Sequence, residues 1–246
     1  MLLLAVDTSG KHGSIALAQC GPKSCDVLEV VPLEGGTFSA QLVPQIAALL
    51  GEHGFGKQDL DAFAVASGPG SFTGLRVGLA AVKALAEVTQ KPIVAVSLLE
   101  VLVEEALHSK QETMWSQASD PAAEEKLRQH PKRNSPKAPI LPALDAGRGE
   151  IYVAEYDEYP GNPVEKLIRR DELASCAGGR LVITPDEPVA EAARAFGLPV
   201  VEVERPRSNA VARLGWRKLS ASEVVSPQDL EANYIRRSDA EIFSKP

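Results

Sequence analysis

Two hairpin signals, each with an aspartate at its turn, organise this chain: VDTSG around Asp7 and LDAGRG around Asp145. Before the first turn LLLAVD (2–7) reads as a buried strand, TSGKHG (8–13) carries turn residues, and SIALAQ (14–19) alternates as a second strand does. VLEVVPL (27–33) predicts a third strand that completes an antiparallel meander. A helix follows, with Leu42, Ile46, Leu49 and Leu50 at helical spacing, Ser39 as its N-cap, and Gly51 and Gly54 as stops. Pro44 falls inside that pattern, so it either kinks the helix or marks its true start. AFAVAS (62–67) predicts a short buried strand that leads through SGPGSFTGLRVG (67–78) into a helix ending near Gln90. KPIVAVS (91–97) is the next strand and LLEVLVEEAL (98–107) the next helix. The order βββαβαβα implies a mixed sheet with flanking helices.

The second hairpin, over 139–157, restarts the pattern. Strand signals over 179–185 and 198–204 alternate with helices over 187–197 and 209–222, the last with Ala210, Leu214 and Trp216 turned inward. Between the halves, residues 108–138 hold almost no aliphatic side chains and three prolines, the composition of a polar and disordered excursion. The expected domains are therefore a lobe over 1–107, an insertion over 108–138, and a lobe over 139–246 whose C-terminal helix can pack back on the first. Lys126, Arg128, Lys132, Arg133 and Lys137 follow one another in the insertion with no acid between them, which suits a solvated loop or a contact to RNA phosphates.

Composition sets outer bounds. A chain of 246 residues with 44% hydrophobic and 24% charged residues can bury a sizeable core. Aromatics at 5% favour an α/β mixture over a β-sandwich. No apolar run approaches the ~18 residues of a membrane span, and MLLLAV is too short for a signal peptide, so the expected location is the cytoplasm. Three cysteines without a CxxC indicate neither a disulfide framework nor a zinc knuckle. A net charge of −7 makes the whole chain a poor electrostatic match for nucleic acid.

The glycine-rich stretch fails as a phosphate loop. A Walker loop requires GxxxxGK[ST], but here the spacing from Gly70 to Gly74 is one short and the lysine is missing. Gly68, Gly70 and Gly74 give GxGxxxG where a dinucleotide fingerprint requires GxGxxG. A bare helix N-terminus still attracts anions. Gly74, Gly78 and Val82 stack along one helical face that Leu75, Leu79 and Ala86 widen. Two interior glycines cost ~1 kcal/mol each relative to alanine, and a face that accepts this cost admits a close neighbour. That neighbour is either the chain's own helix over 39–50 or a helix from another chain. No HxxxH, HExxH or GxSxG occurs, and His12, His53, His108 and His130 are scattered. Asp7 suits a magnesium ion held through water or an Asx bond within its own turn. Asp145, Arg148 and Glu150 suit an internal ion pair or a partner contact. The expectation is therefore a protein with no catalytic residues, no cofactor and no metal.

Five blocks carry a family resemblance: LAVDTSGKHGSIAL, SGPGSFTGLRVGLAAVKALA, IVAVSLLEVL, ALDAGRGEIYVAEY and ANYIRR. They resemble the TsaB (YeaZ) family, bacterial partners of the tRNA threonylcarbamoyladenosine synthase TsaD, over most of the chain outside 108–138. The resemblance implies a two-lobed α/β fold of the actin, Hsp70 and sugar-kinase type. It implies a non-catalytic scaffold that binds TsaD, helps recruit the ATPase TsaE, and meets tRNA only through the complex. The modification lies on adenosine 37 of tRNAs that read codons beginning with A. It also implies homodimers through the same surface. Carried onto this chain, the interface would fall on Leu42, Ile46, Leu49, Gly74, Leu75, Gly78, Leu79 and Val82, with the glycine face as a groove that tolerates arginine in the fold but not in the assembly. Phe38 stands where family members commonly have histidine. The alternatives are a small-molecule kinase of the same fold, a metallopeptidase, and a direct tRNA binder working through Lys126–Lys137.

Overall fold

Leu2, Leu4 and Val6 point to one side of the first strand and Leu3 and Ala5 to the other, and all five are buried. A strand without a wet face belongs in the middle of a sheet covered on both sides. The computed structural model, which describes residues 1–22, 24–109 and 139–236, puts it there. β1 (Leu2–Asp7) pairs antiparallel with β2 (His12–Cys20) and parallel with β4 (Ala62–Gly68). β3 (Cys25–Glu34) extends the sheet beyond β2 and β5 (Ile93–Ser97) beyond β4, giving the order β3-β2-β1-β4-β5. Helices α1 (Phe38–Glu52) and α2 (Phe72–Thr89) bury Leu42, Ile46, Leu49, Leu79 and Val82 with Leu2, Leu4 and Val6 in one core. The helix α3 (Leu98–Ser109) follows β5 directly.

The second sheet repeats that topology. β6 (Ile140–Gly147) pairs antiparallel with β7 (Glu150–Glu155) and parallel with β9 (Leu181–Thr184); β8 (Val164–Arg169) and β10 (Val200–Glu202) take the outer places, in the order β10-β9-β6-β7-β8. In both sheets the first strand of the half is central, the second pairs antiparallel with it and the third antiparallel with the second, and the fourth and fifth run parallel to the first on its other side. The short helix α4 (Leu173–Ala177) and α5 (Glu187–Ala195) cover a core built on Leu141, Ile151, Val153 and Val182. The fold is thus two-lobed α/β, a mixed sheet with helices in each half, as the hairpin repeat predicts.

The described residues form two compact units: one runs to Val101 and resumes at Pro206, and the other lies between Leu102 and Arg205. Helix α6 (Ser208–Ser220) follows the second sheet in the chain but packs on β1, β2 and β4. It covers the face that carries Ala5 and Ala64, so close that a β-carbon on Gly215 would lie 2.4 Å from that of Ala64. Ala210 and Leu214 are buried as predicted, whereas Trp216 is only half-buried.

Several local details differ from the sequence expectations. Helix α1 begins at Phe38 with Thr37 as N-cap, so Ser39 lies within the helix and Pro44 inside it rather than at its start. β8 and α4 are elements that the sequence pattern does not predict. Cys20 and Cys25, register partners where β2 turns into β3, form one local disulfide rather than a framework, and Cys176 remains a thiol. Residues 110–138, with Lys126, Arg128, Lys132, Arg133 and Lys137, lie outside the described residues. Among the described residues, no helix is long and apolar enough to cross a membrane.

Helix α2 ends on Gln90 at φ 55° and ψ 40°, the left-handed region that glycine occupies without a steric penalty. Replacing Gln90 with Gly removes that penalty at the cost of the side-chain bond to the Glu87 carbonyl. Q90G is expected to raise the unfolding free energy in urea by about 0.5–1 kcal/mol.

Candidate functional site

The bare face of α2 has a definite neighbour. A β-carbon at position 74 would lie 2.1 Å from the carbonyl oxygen of Thr8, and one at position 78 would lie 2.4 Å from Thr8 Oγ1. Thr8 Oγ1 also donates to the Gly74 carbonyl at 2.7 Å, and Ser71 N–H donates to the Ser9 carbonyl at 2.6 Å. Ser71 caps the helix, its Oγ accepting from Gly74 N–H at 3.3 Å. The neighbour is therefore the turn after β1, neither the helix over 39–50 nor another chain.

This geometry corrects the interface assignment. Leu42, Ile46, Leu49, Leu75, Leu79 and Val82 are between 0% and 5% exposed, and Gly74 and Gly78 are buried beside them. All eight belong to the inner surfaces of α1 and α2, where a partner cannot reach without unpacking the sheet. The glycine pair is a seat for Thr8 rather than a docking groove, and arginine at either position has no room in the fold.

Asp7 is likewise used internally. Its carboxylate is 7% exposed, and Oδ1 accepts from Ser9 N–H at 2.9 Å and Ser9 Oγ at 2.6 Å, an Asx bond within its own turn. Asp145 makes the corresponding turn bond to Gly147 N–H at 3.3 Å and pairs with Arg170, which follows β8, at 3.4 Å. Among the described residues no group of three His, Cys, Asp or Glu is placed to hold a metal ion. Cys176 donates to Glu155, which is ion-paired with Lys166. Burial, and then the Glu155 carboxylate, push its thiol up to about 11.

What α1 and α2 leave in solvent is unusual for helix surfaces. From Phe38 to Gly51 the sequence of α1 has no charged residue, and its outer face presents Ala40, Val43 and Ala47. The outer stripe of α2 runs through Thr73, Ala80, Ala84 and Val88, with Arg76 and Glu87, three turns apart, along the same edge of it. Val43 is 55% exposed and Val88 61%. The two helices pack side by side over one sheet face, so these stripes face solvent together. Surface helices ordinarily turn charged residues outward. Where the first turns of the two helices meet the β1–β2 turn, a cavity of roughly 460 Å³ opens, lined by Lys11, Gly35, Ser39 and Thr73 among others. Neither first turn carries an acid, so the cavity lies at two uncompensated positive helix ends.

A profile of the TsaD family, tRNA N6-adenosine threonylcarbamoyltransferase, matches residues 30–116, the segment that contains both helices. The tRNA N6-adenosine threonylcarbamoyltransferase of Novosphingobium aromaticivorans is 51% identical, but over 72 residues that cover 29% of this chain and 21% of that protein. The tRNA threonylcarbamoyladenosine biosynthesis protein TsaB of Bacillus subtilis is 26% identical across 98% of this chain and 96% of its own length. TsaB of Escherichia coli is 30% identical over 63% of this chain and 55% of its own length. Only the TsaB match among these runs end to end. Over nearly its whole length the chain is similar to TsaB (YeaZ) proteins. In fold it matches YeaZ from Pseudomonas aeruginosa with a TM-score of 0.67 at 21% identity, over 94% of this chain and 100% of that one.

Phe38 has a packing role in this chain. It is 6% exposed, and its ring lies 2.9 Å from the place a β-carbon on Gly13 would take, so it fills space that Gly13 leaves open. The outer stripes are the feature that apolar periodicity misses, because periodicity marks the buried face. The signal that finds them is the absence of charge on the opposite face.

Two measurements check this account. Gly78→Ala should lower the unfolding free energy by about 1–3 kcal/mol in urea, because overpacking against Thr8 outweighs the better helix propensity of alanine; wild-type stability would show that Thr8 does not demand the glycine. A thiol raised from 9.0 to about 11 has roughly a hundredfold less thiolate at pH 8, offset roughly tenfold by higher intrinsic nucleophilicity. Iodoacetamide should therefore label Cys176 about tenfold more slowly in the native chain than in urea.

Proposed function

We infer that the chain serves in tRNA threonylcarbamoyladenosine biosynthesis, as the relatives named for it do, and that it does so as a scaffold. In this reading it binds TsaD through the outer faces of α1 and α2, helps recruit TsaE, and leaves the threonylcarbamoyl transfer to TsaD. Transfer RNA is reached through the complex, and a second copy of this chain competes for the same face. The observation that carries the reading is the pair of charge-free outer stripes on neighbouring helices.

Size supports it. Helices of 15 and 18 residues are about 22 and 27 Å long, and side by side they have the footprint of a standard interface of roughly 800 Å² per partner. The TsaD family profile supports it as well, since its match spans both helices. A partner with a like helix pair can offer a like surface, which favours a near-symmetric four-helix contact. The internal use of Asp7, Thr8 and Ser71 supports a scaffold over a kinase, because the groups that would meet a nucleotide are bonded to one another.

The test is a charge in the stripe. Ala84→Glu should leave the unfolding transition of the free chain unchanged, because Ala84 is exposed. It should weaken association with TsaD by roughly 2–4 kcal/mol in calorimetry, the loss expected at an interface centre. Cells carrying only that variant should show less threonylcarbamoyladenosine in digested tRNA by mass spectrometry. Wild-type affinity with Ala84→Glu would remove the docking face from α2.

A further inference from the structure

The last described residues of the first unit run from the sheet edge to the amino-terminal end of α2. Val225 bridges to Ile93 of β5, Leu230 is buried in the core, and Asn233 N–H donates to the Ser67 carbonyl at 2.7 Å. Gly68 has φ +130°, and a β-carbon there would lie 2.9 Å from the Asn233 carbonyl oxygen, so the segment and the loop before α2 are fitted to each other. Tyr234 then turns onto the helix. Its hydroxyl accepts from Arg76 Nε at 3.0 Å, and its ring lies 5.0 Å from that of Phe72 at a tilt of 34°. The Arg76 guanidinium stacks 3.7 Å above the Phe72 ring and 5.9 Å from that of Tyr234.

The opening turn of a helix is its least supported part, because its first N–H groups lack intrahelical partners. In α2 that turn also contains Gly74, which weakens it further. Thr8 holds it from below. From the solvent side the contacts come from a residue 158 positions away in sequence. Phe72 and Tyr234 are 37% and 44% exposed, so this cluster adds little to the core. What it fixes is the position of Phe72 and Arg76, which flank Thr73 and Ala80 in the outer stripe.

We propose that Tyr234 is a positioning residue for the docking face: through Arg76 and Phe72 it holds the first turn of α2 in place, so that a partner meets an ordered surface. Ordering a surface before association removes a cost that would otherwise be deducted from affinity. The inference rests on the reading of α1 and α2 as the TsaD-binding face.

The experiment uses the full chain with Tyr234→Ala, Tyr234→Phe, Arg76→Ala and the Tyr234→Ala/Arg76→Ala double variant, titrated with purified TsaD well below any unfolding transition. Tyr234→Ala should raise Kd about tenfold and Tyr234→Phe, which keeps the ring, about two- to threefold. Adding Arg76→Ala to Tyr234→Ala should change Kd by less than about twofold, since the pair acts as a unit. In the free chain, hydrogen exchange of the amides at 72–76 should quicken in Tyr234→Ala while β1 and β4 keep their protection. Wild-type affinity in Tyr234→Ala, with Ala84→Glu disrupting the complex, overturns the inference and leaves the docking reading standing. Weaker binding with unchanged exchange also overturns it, because Tyr234 would then touch the partner directly. Wild-type affinity in Ala84→Glu overturns the docking reading itself, and the exchange measurement then decides whether Tyr234 orders the turn.

Discussion

Thr8 occupies the space where the side chains of residues 74 and 78 would stand, and the placement of both outer helices follows from it. The two glycines forgo ~1 kcal/mol each of helix propensity. In return the axis of α2 comes down onto the end of β1, Thr8 Oγ1 bonds the Gly74 carbonyl, and Val6 enters the same core as Leu79 and Val82. With α2 at that depth, α1 packs beside it over the strands β2 and β3, and the outer stripes of the two helices face solvent together. The turn after β1 is stiffened in the same place, because Asp7 binds Ser9 and the Ser9 carbonyl receives the Ser71 amide. Groups that resemble a phosphate site in sequence are thus the fasteners of a strand-to-helix junction.

The sequence carries the fold more openly than the site. Asp7 and Asp145 each lie at the end of the first strand of a half, and the two sheets share one strand order; alternation and turn residues encode this because both hairpins are local. β8 is harder to see, since VEKLIR mixes charged and apolar residues at an edge where only Ile168 is buried. The spacing of Gly74 and Gly78 correctly implies a close neighbour, but helical periodicity describes a face and not what lies against it. That neighbour is set by the parallel pairing of β1 with β4, a non-local fact. Leu42, Ile46 and Leu49 mislead in the same way: they mark the face of α1 that the fold itself consumes.

The duplicated topology also isolates what is special to the first half. In the second unit α5 behaves as an ordinary surface helix, burying Val189, Ala190 and Ala193 and exposing Glu187, Glu191 and Arg194. Its counterparts in the first unit bury a comparable stripe but expose Ala40, Val43, Ala80, Ala84 and Val88. The same architecture therefore has a charged helix surface in one half and, in the other, stripes of small uncharged residues with Arg76 and Glu87 along one edge. In a chain with 26 basic and 33 acidic residues, stripes of this kind are the feature that the proposed docking would cover.

An interface of small residues places demands on its own scaffold. Alanine, valine and threonine offer few rotatable atoms with which to adjust to a partner, so complementarity depends on where the helix backbones stand. A shift of the α2 axis displaces every contact in the stripe at once, whereas a surface of long side chains could compensate. If the proposed docking holds, rigidity in the supports serves it: Thr8 and the cap at Ser71 beneath the helix, and the segment ending at Tyr234 beside it. The carboxy-terminal residues of the first unit lie far from the outer faces in sequence, yet they meet α2 at the turn where its backbone is weakest. This links the geometry of the first turn of α2 to residues 225–234.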